Sequence, residues 1–373
     1  MARLDQICKL NMGQSPDSSS YNESKIGIPF FQGNADFGTL HPNVRIWCSA
    51  PTKVAHPGDI LISVRAPIGA LNIANVECCI GRGLAALTVD ESKCKKEYLW
   101  HAISSKVDEL NRRGTGSTFK AISKNILAET EIPLPALDMQ THIAAELDKV
   151  DNLIAFRKQQ LSKLDELVKS RFVELFGDPT TNSKGYVLKK YGDLFELNAG
   201  GTPSRQKTEY WDNGTISWIG SNMCQNTVIY ENDGNYITEE GLKHSSARMF
   251  PVDTVLIALV GATIGKTALL KFETTTNQNV LGVRGIRENG YTPEFLFYYT
   301  QGLYQKFLNI GDGGFSMASK GFISELPVPA VDLALQEQFS AIVKQINKSK
   351  LAVQQSLDKL ELLKKALMQK YFG

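Results

Sequence analysis

Two stretches of the chain place apolar residues at alternating steps of three and four positions. Residues 139–176 and 333–372 contain neither Gly nor Pro. A 3-4 spacing sustained over about 30 residues is typical of coiled coils, and it predicts two helices of about 55 Å at a rise of ~1.5 Å per residue. We expect these helices to pack on each other through Ile143, Leu147, Val150, Ile154, Leu161, Leu164, Val168, Phe339, Val343, Ile346, Val353, Leu357, Leu360 and Leu367.

Shorter apolar runs precede each long helix. The runs "DILISV" (59–64) and "TVLIALV" (254–260) are typical of buried strands, while "IPFFQG" (28–33) and "ISWIG" (216–220) are typical of strand ends. The segments "EYLWHAISSKVDELN" and "PEFLFYYTQGLYQKFLN" each predict one helix, at 97–111 and 293–309, with a Gly-rich loop after it. The pattern therefore predicts an α+β protein with two mixed α/β globular blocks.

The chain is an internal repeat. "IPLPALD" at 132–138 returns as "LPVPAVD" at 326–332, and a shift of 196 positions then places Leu161 on Leu357 and Phe176 on Phe372. Earlier in each half, "LNMGQSP" (10–16) resembles "LNAGGTP" (197–203). A repeat of this length predicts two copies of one supersecondary arrangement. We expect block 1 at 1–135, a helix at 136–178, block 2 at 179–329 and a second helix at 330–373.

The repeat also predicts how the helices are arranged. If a twofold relates the halves, the two long helices run antiparallel and the molecule has pseudo-twofold symmetry. The Pro-x-Pro segments end each block in extended chain, and Asp138 and Asp332 are the expected helix N-caps. The alternative is that each long helix lies on its own block. Such a helix would exceed the ~30 Å width of a block this size, which favours pairing with the other copy.

Composition restricts the classes of protein that remain. The 373 residues are enough for two cores, and no apolar run approaches the ~20 residues of a membrane span or forms a signal peptide near the start. None of the six cysteines forms a C-x-x-C pair, so we expect a reducing cytoplasm rather than a disulfide framework. A net charge of +2 does not indicate nucleic-acid binding, although it allows a local basic groove.

The candidate catalytic motifs are weak. The segment "GATIGKT" (261–267) lacks the P-loop spacing, because Val260 stands where that motif requires glycine, and we interpret it as a strand-to-turn element. The five histidines are scattered and do not recur at matching positions, and Cys78-Cys79 is better explained as a pair packed in a strand. We expect no cofactor and no metal in this chain, and we expect it not to be an enzyme.

Polar and basic loop residues indicate binding instead. Arg and Lys neutralise phosphates, and Arg, Asn and Gln pair with base edges. Ordinary solvated loops would show the same residue types, but several of these residues occupy matching places in both halves. In the first half the candidate DNA contacts are Gln14, Ser15, Asn34, Arg65, Arg82, Arg112, Arg113, Lys120 and Lys124. In the second half they are Thr202, Ser204, Arg205, Lys207, Asn222, Lys266 and Lys320.

The chain resembles the specificity (S) subunits of type I restriction-modification systems. The residues that carry this resemblance are "LNAGGTPSRQKTEYWDNGTISWIG" (197–220), "GATIGKTALLKFETTTNQNVLGV" (261–283) and the Pro-x-Pro and helix units at 132–177 and 326–373. The resemblance implies two target recognition domains that bind double-stranded DNA, with two methyltransferase subunits and added restriction subunits as partners. Those partners would carry the chemistry of S-adenosylmethionine and ATP.

Three hypotheses follow. The first is a non-catalytic reader of a bipartite DNA sequence that also scaffolds its partner subunits. The second is a structural coiled-coil scaffold with two protein-binding heads, and the third is a DNA-modifying enzyme, which the missing motifs disfavour. Under the first hypothesis each block reads its half-site alone, at sites about 10 bp apart. The helix pair then sets the gap, and Lys120 and Lys320 contact phosphates.

Overall fold

The computed structural model describes residues 1–116, 120–310 and 317–373. It divides into two compact units, one formed by Met1–Lys158 with Gln355–Gly373 and the other by Gln159–Gln354. Unit 1 therefore holds block 1 and unit 2 holds block 2, each with half of each long helix. Parts of the two predicted Gly-rich loops, at 117–119 and 311–316, lie outside the described residues.

Block 1 is a mixed α/β structure. Its elements are, in chain order, β1 (Ala2–Arg3), α1 (Leu4–Ile7), β2 (Cys8–Met12), β3 (Tyr21–Asn22), β4 (Ile28–Phe31), β5 (Ile46–Cys48), β6 (Val54–Ala55), β7 (Ile60–Ser63), β8 (Leu71–Ile73), β9 (Cys78–Ile80), β10 (Leu84–Val89), α2 (Lys96–Ser105), α3 (Val107–Arg113), α4 (Lys124–Ala128) and β11 (Glu131–Ile132). The strands form three sheets with the orders β1-β11, β2-β10-β7-β8 and β3-β5-β4-β9-β6. The first long helix, α5 (Leu137–Phe176), follows.

Block 2 begins and ends with the same elements as block 1. Its elements are, in chain order, β12 (Leu188–Lys190), α6 (Tyr191–Leu194), β13 (Glu196–Ala199), β14 (Ile216–Ile219), β15 (Thr227–Ile229), β16 (Tyr236–Ile237), α7 (Glu239–Lys243), β17 (Val255–Ala258), β18 (Thr267–Leu270), β19 (Thr275–Thr276), β20 (Val280–Arg284), α8 (Pro293–Gly302), α9 (Tyr304–Leu308), α10 (Lys320–Ser324) and β21 (Pro327–Pro329). Six strands and the helix α7 lie between β13 and β20, where block 1 has seven strands between β2 and β10. The strands form three sheets with the orders β12-β21, β13-β20-β17-β18-β15 and β16-β14-β19. The second long helix is α11 (Leu333–Phe372).

Strand register confirms the repeat. Asn11 of β2 lies opposite Ala86 of β10, and Asn198 of β13 lies opposite Gly282 of β20. The sequence already aligns Asn11 with Asn198, and the register makes Ala86 the counterpart of Gly282. The four predicted strands are also confirmed, because β4, β7, β14 and β17 all fall inside the apolar runs.

Two details of the sequence prediction are wrong. Residues 97–111 and 293–309 were each expected to form one helix, but each forms two, which break at Lys106 and at Leu303. Asp138 is not an N-cap, because Gln140 N donates to Ala136 O at 2.9 Å and the helical hydrogen bonds therefore start before it. Asp332 does cap α11, since its Oδ1 accepts from Ala334 N at 2.8 Å.

The two long helices pair antiparallel within each unit. In unit 1, Asp151 of α5 pairs with Lys364 of α11 and Glu146 accepts from the Tyr371 hydroxyl. In unit 2, Asp165 pairs with Lys350, and Phe172 packs on Phe339 with ring centroids 5.3 Å apart. The residue number therefore falls along α11 as it rises along α5.

The apolar stripes of the helices also pack on the blocks. Of the fourteen expected packing positions, ten are buried, and four are half-buried, namely Ile154, Leu161, Leu164 and Leu360. Ile143 and Leu147 belong to the core of unit 1, whereas Val168 and Phe339 belong to the core of unit 2. Each helix end therefore contacts both a block and the other helix, which combines the two arrangements that the sequence left open.

The segment that resembles a P-loop forms a packed turn. Gly265 has a φ of +73°, and a Cβ at this position would lie 2.5 Å from Cγ of Phe307. Positive φ and this close approach both require glycine. The space above the turn is filled by an aromatic ring, which confirms the prediction of a strand-to-turn element.

Candidate nucleic-acid interface

Three loops of unit 2 meet at one end of its sheets. Strand β13 runs into Gly200 and Gly201, whose amides donate to Val280 O and Thr276 O at 3.0 and 2.8 Å. A Cβ on Gly200 would lie 2.1 Å from Oγ1 of Thr276, so only glycine permits this approach. The Thr202 hydroxyl then reaches Gln278 and donates to its Oε1 at 2.5 Å. These hydrogen bonds hold the segment "GGTP" (200–203) against the segment "TNQN" (276–279).

The third loop follows β14 and adds Asn222. The Gln225 amide nitrogen donates to Asn222 O at 3.1 Å, and Lys266 Nζ donates to Gln225 Oε1 at 2.9 Å. Asn222 Oδ1 and Asn277 Nδ2 both lie within 4 Å of the Cβ position of Gly220. Predicted residues Thr202, Asn222 and Lys266 therefore lie on one connected set of loops, to which Asn277, Gln278 and Gln225 belong although they were not predicted.

Unit 1 builds the same set of loops from different residues. The Gln32 amide donates to the Ser15 hydroxyl at 3.0 Å, and Arg82 N donates to the same oxygen at 3.3 Å. Two hydrogen bonds hold the backbone of Gln14: its amide donates to Ile80 O, and its carbonyl oxygen accepts from the Thr52 hydroxyl at 2.6 Å. Gln32, which was not predicted, thus joins Gln14, Ser15 and Arg82.

The two sets of loops occupy equivalent positions. Because Asn11 and Asn198 share one place in the sheet register, Ser15 corresponds to Thr202 and Arg82 to Gln278. Asn34 and Asn222 correspond in turn, since each lies in the short 3-10 helix that follows β4 or β14. The sequence could have indicated Gln278 through this alignment with Arg82.

A basic rim borders the loops of unit 1. Val64 N donates to Gly83 O at 2.9 Å, which places Arg65 on the turn next to Arg82. Arg65 also forms a bridge to Ala121, beside Lys120. Lys120 Nζ donates to Asn111 O at 3.4 Å and is exposed. The structure thus brings Arg65, Arg82 and Lys120 to one end of the block.

The remaining predicted residues have varied surroundings. In unit 1, Arg112 is exposed, whereas Arg113 pairs with Glu129 at 3.2 Å and with Glu109. Lys124 begins α4 after the N-cap Ser123, just as Lys320 begins α10 after Ser319. Lys124 rather than Lys120 is therefore the structural counterpart of Lys320.

Aromatic residues hold the loop at 204–211 in unit 2. The guanidinium carbon of Arg205 lies 3.8 Å from the ring centroid of Trp211 and 5.2 Å from that of Trp218. The Trp211 ring nitrogen donates to Ser204 O, and Lys207 Nζ donates to the Tyr210 hydroxyl at 2.9 Å. This hydrogen bond raises the pKa of Lys207, which keeps its charge at neutral pH. Ser204, Arg205 and Lys207 are exposed on a loop that stacking has already ordered.

Burial suppresses the ionisation of cysteine thiols in both units. Burial raises the pKa of Cys78 to about 12, and it raises that of Cys224 to about 12 as well, so both thiols stay protonated at neutral pH. In the part of the chain that the structure describes, no group of three or more His, Cys, Asp and Glu could hold a metal ion. Within that same part, no helix has both the length and the apolar character needed to cross a membrane.

Comparison with known proteins identifies the family. The type I restriction modification DNA specificity domain matches the chain twice, over residues 1–166 and 183–362. The chain belongs to this family. Two matches in one chain also confirm the internal repeat as a pair of specificity domains.

Individual relatives agree with this assignment. The putative type I restriction enzyme MjaX specificity subunit of Methanocaldococcus jannaschii is 42% identical over 165 residues, which cover 44% of this chain and 39% of the relative. The EcoR124I/EcoR124II specificity subunit of Escherichia coli is 30% identical over 168 residues, which cover 42% of this chain and 40% of the relative. Each alignment thus spans about two fifths of the relative's length.

Solved structures show a similar fold. The S subunit of a type I restriction-modification system from M. genitalium has a TM-score of 0.62 at 16% identity, covering 100% of this chain and 95% of that one. A chain from a structural study of complex assembly and conformational transition of the type I R-M system has a TM-score of 0.61 at 16% identity, covering 99% and 96%. At this identity the similarity supports the fold of this type I specificity protein.

Proposed function

We propose that this specificity protein reads a bipartite DNA sequence, with block 1 reading one half and block 2 the other. The observation that carries the proposal is the pair of equivalent loop sets, which present different side chains on one frame. Arg82 of unit 1 corresponds to Gln278 of unit 2. Arginine pairs best with guanine and glutamine with adenine, so the two blocks are suited to different bases.

A block exchange tests independent reading. Residues 180–325 are replaced by the equivalent block of a relative, and the methylated motif is determined by methylome sequencing in cells that carry the partner subunits. We expect one half of the motif to change and the other half to stay. The matched control is an exchange of residues 1–131, which should change the opposite half. Simultaneous change of both halves in either variant would contradict the proposal.

We further propose that the chain scaffolds two methyltransferase subunits and the restriction subunits, in the cytoplasm. The long helices support this, because they carry large apolar side chains that neither unit covers, such as Phe156 and Leu362, which are 57% and 69% exposed. Contiguous exposed apolar side chains are typical of protein interaction sites, and Leu153, three positions before Phe156 on α5, is also exposed. The six free, buried cysteines are compatible with a reducing compartment.

Catalysis then belongs to the partners. With S-adenosylmethionine and target DNA, the chain alone should transfer no methyl group, whereas the chain with its methyltransferase subunits should. A gel shift with the assembled complex separates this proposal from a purely structural scaffold with two protein-binding heads, which would not select one sequence from a random pool. Methyl transfer by the isolated chain would overturn the proposal.

We also propose that the long helices set the number of unread base pairs. Inserting four residues between Gln160 and Leu161, with four more between Ser356 and Leu357, lengthens both helices by ~6 Å and should add about two base pairs to the gap. The same insertion in the turn at Gly234, where the chain is open, is the control and should leave the gap unchanged. A constant gap after lengthening both helices would rule out this role.

A further inference from the structure

A cleft in unit 2 gathers positive charge from residues outside the set of loops described above. It has a volume of about 530 Å³ and lies between β13, β20, α6 and α10. Three cationic side chains line it, namely Arg248, Arg284 and Lys320, against the single carboxylate of Glu196. The cleft is therefore suited to an anion.

Arg284 has an incomplete set of partners. It ends β20, and its Nη1 lies 3.6 Å from Oε2 of Glu196. Its Nε is buried and has no hydrogen-bond partner among the residues that the structure describes. Buried donors in folded proteins are normally paired, and a guanidinium does not lose its charge. An acceptor oxygen bound in the cleft would complete this set.

The other two cations are available to the same ligand. Arg248 is exposed and its Nη1 lies 3.5 Å from Asn198 Oδ1, which orients the guanidinium on the cleft wall. Lys320 is exposed at the start of α10 and also lines the cleft. Two guanidinium groups and an ammonium around one cavity are typical of a phosphate site.

Unit 1 keeps the charge at this place but changes the residues. Lys124 corresponds to Lys320, since both follow a serine N-cap. Lys53 lies two residues before Ala55, which pairs with Cys78, and Arg248 lies two residues before Phe250, which pairs with Thr274. Because Cys78 and Thr274 are equivalent positions, Lys53 corresponds to Arg248. On the remaining strand pair, unit 2 has Glu196 beside Arg284, and unit 1 has Lys9 beside Thr88. The cationic side chain of this pair therefore lies on β20 in unit 2 and on β2 in unit 1.

This pattern separates the cleft from the reading loops. The loops differ between the units in the chemistry that they present to bases, as Arg82 and Gln278 illustrate. The cleft presents three cations in unit 2, and the equivalent place presents three lysines in unit 1. Phosphates are the same beside every base sequence, so a feature whose charge is kept fits the sequence-independent part of DNA.

We infer that the cleft of Arg248, Arg284 and Lys320 binds a backbone phosphate of the DNA next to the half-site read by block 2. The inference rests on the proposed function. It also extends the prediction for Lys320 from a single contact to a built site, and it assigns Lys9, Lys53 and Lys124 to the corresponding phosphate in unit 1.

The test measures the salt dependence of DNA binding by the assembled complex. Arg248→Ala and Lys320→Ala should each weaken binding to target and non-target duplexes by the same factor. Each should also reduce the slope of log affinity against log salt by about 0.9. Glu196→Gln should strengthen binding to both duplexes. Lys344→Ala, which removes an exposed cation on α11 outside the cleft, is the matched control and should leave the slope unchanged.

Arg284 is tested with two substitutions. Arg284→Ala should show the same uniform loss, and Arg284→Lys, which keeps the charge but lacks the buried Nε–H, should restore only part of it. A duplex with one neutral methylphosphonate at the contacted phosphate should bind the native protein and Arg248→Ala equally well. That result would locate the contact on one phosphate.

The outcomes separate the inference from the proposed function. If the native complex does not distinguish target from non-target DNA, the proposed function fails. If it does distinguish them but the cleft variants match Lys344→Ala, only the cleft inference fails. A change in base preference in Lys320→Ala would overturn it too, as would binding of inorganic phosphate in the cleft without any effect of the variants on DNA binding.

Discussion

At the junction of block and helix pair, three of four equivalent positions carry different side chains in the two units. In unit 2, Phe172 and Phe176 pack both on Phe295 and on Phe339, with the Phe176 and Phe295 centroids 4.8 Å apart. In unit 1 the corresponding residues are Met368, Phe372, Ile143 and Tyr98. Tyr98 still packs on Phe372 at 5.4 Å, and its hydroxyl is satisfied by Pro133 O.

A polar contact at the same junction is identical in both units. Gln140 and Gln336 are both fully buried. Gln140 accepts from Lys95 N and donates to Lys93 O and Pro135 O, while Gln336 accepts from Thr292 N and donates to Gly290 O and Val331 O. Each glutamine joins a long helix to the loop before a block helix.

The contrast follows from the directionality of the two interactions. Apolar burial depends on area and volume, so Ile, Met or Phe can fill the same junction after small adjustments. A buried amide must meet each donor and acceptor in the correct place, so a substitution leaves several backbone groups unpaired. The junction therefore tolerates the exchange of one large apolar side chain for another more readily than the replacement of its glutamine.

The largest expected effect is on the aromatic junction. Phe339→Ala should lower the free energy of unfolding of unit 2 by about 4 kcal/mol, and Ile143→Ala should lower that of unit 1 by about 3 kcal/mol, because the phenylalanine leaves the larger cavity. Hydrogen exchange of β17 and β7 measures the two units separately. Leu351→Ala, at an exposed position on α11, is the control. A larger loss in unit 1 would show that the aromatic cluster is not the stronger junction.

The glutamines should give a smaller and more equal effect. Gln140→Ala and Gln336→Ala each remove three hydrogen bonds to the backbone, and each should cost about 3 kcal/mol in its own unit. The neighbouring Met139→Ala, at a half-exposed side chain, should cost little. Hydrogen exchange at the start of α5 and α11 reports the local loss. If only one of the two glutamine variants loses protection, the equivalence of the junctions is disproved.

The smallest expected effect is on the stability of unit 2 at low pH. Asp253 binds Lys271 at 2.7 Å and Arg287 at 2.8 Å. Burial acts to raise the pKa of Asp253, but these hydrogen bonds outweigh it and the pKa is lowered. Its contribution to the stability of unit 2 is therefore present above the unfolded-state pKa of about 3.9, and it is lost as the pH falls through the folded value.

Unit 1 provides the comparison for this prediction. Gly58 occupies the place of Asp253, with positive φ at both and equivalent amide hydrogen bonds to Ala74 O and Leu270 O. In native unit 2, the free energy of unfolding should fall as the pH is lowered. Asp253→Asn should make this fall smaller by about 1 kcal/mol, and it should leave unit 1 unchanged. The readout is hydrogen exchange of each unit as the pH is lowered. Equal acid sensitivity in the native protein and the variant would exclude this network as the cause.

The sequence by itself determined the elements and their repetition. The long helices, the buried strands β7 and β17 and the two-block order all follow from apolar periodicity, which is a local property of the chain. The alignment of Leu161 with Leu357 established that one arrangement occurs twice. The end of each block at a Pro-x-Pro segment was also readable, since proline restricts the backbone at and before its own position.

Tertiary structure alone decided which side chains meet. Ser15 contacts Gln32 and Arg82, which lie 17 and 67 positions away, and no local pattern encodes such contacts. The cleft likewise combines Arg248, Arg284 and Lys320, which come from a loop, a strand and a helix that are far apart in the sequence. The apolar stripe of each helix had two possible partners because burial is non-directional, and the stripe itself does not specify which apolar surface covers it. Only the packed units show that its ends contact both a block and the other helix.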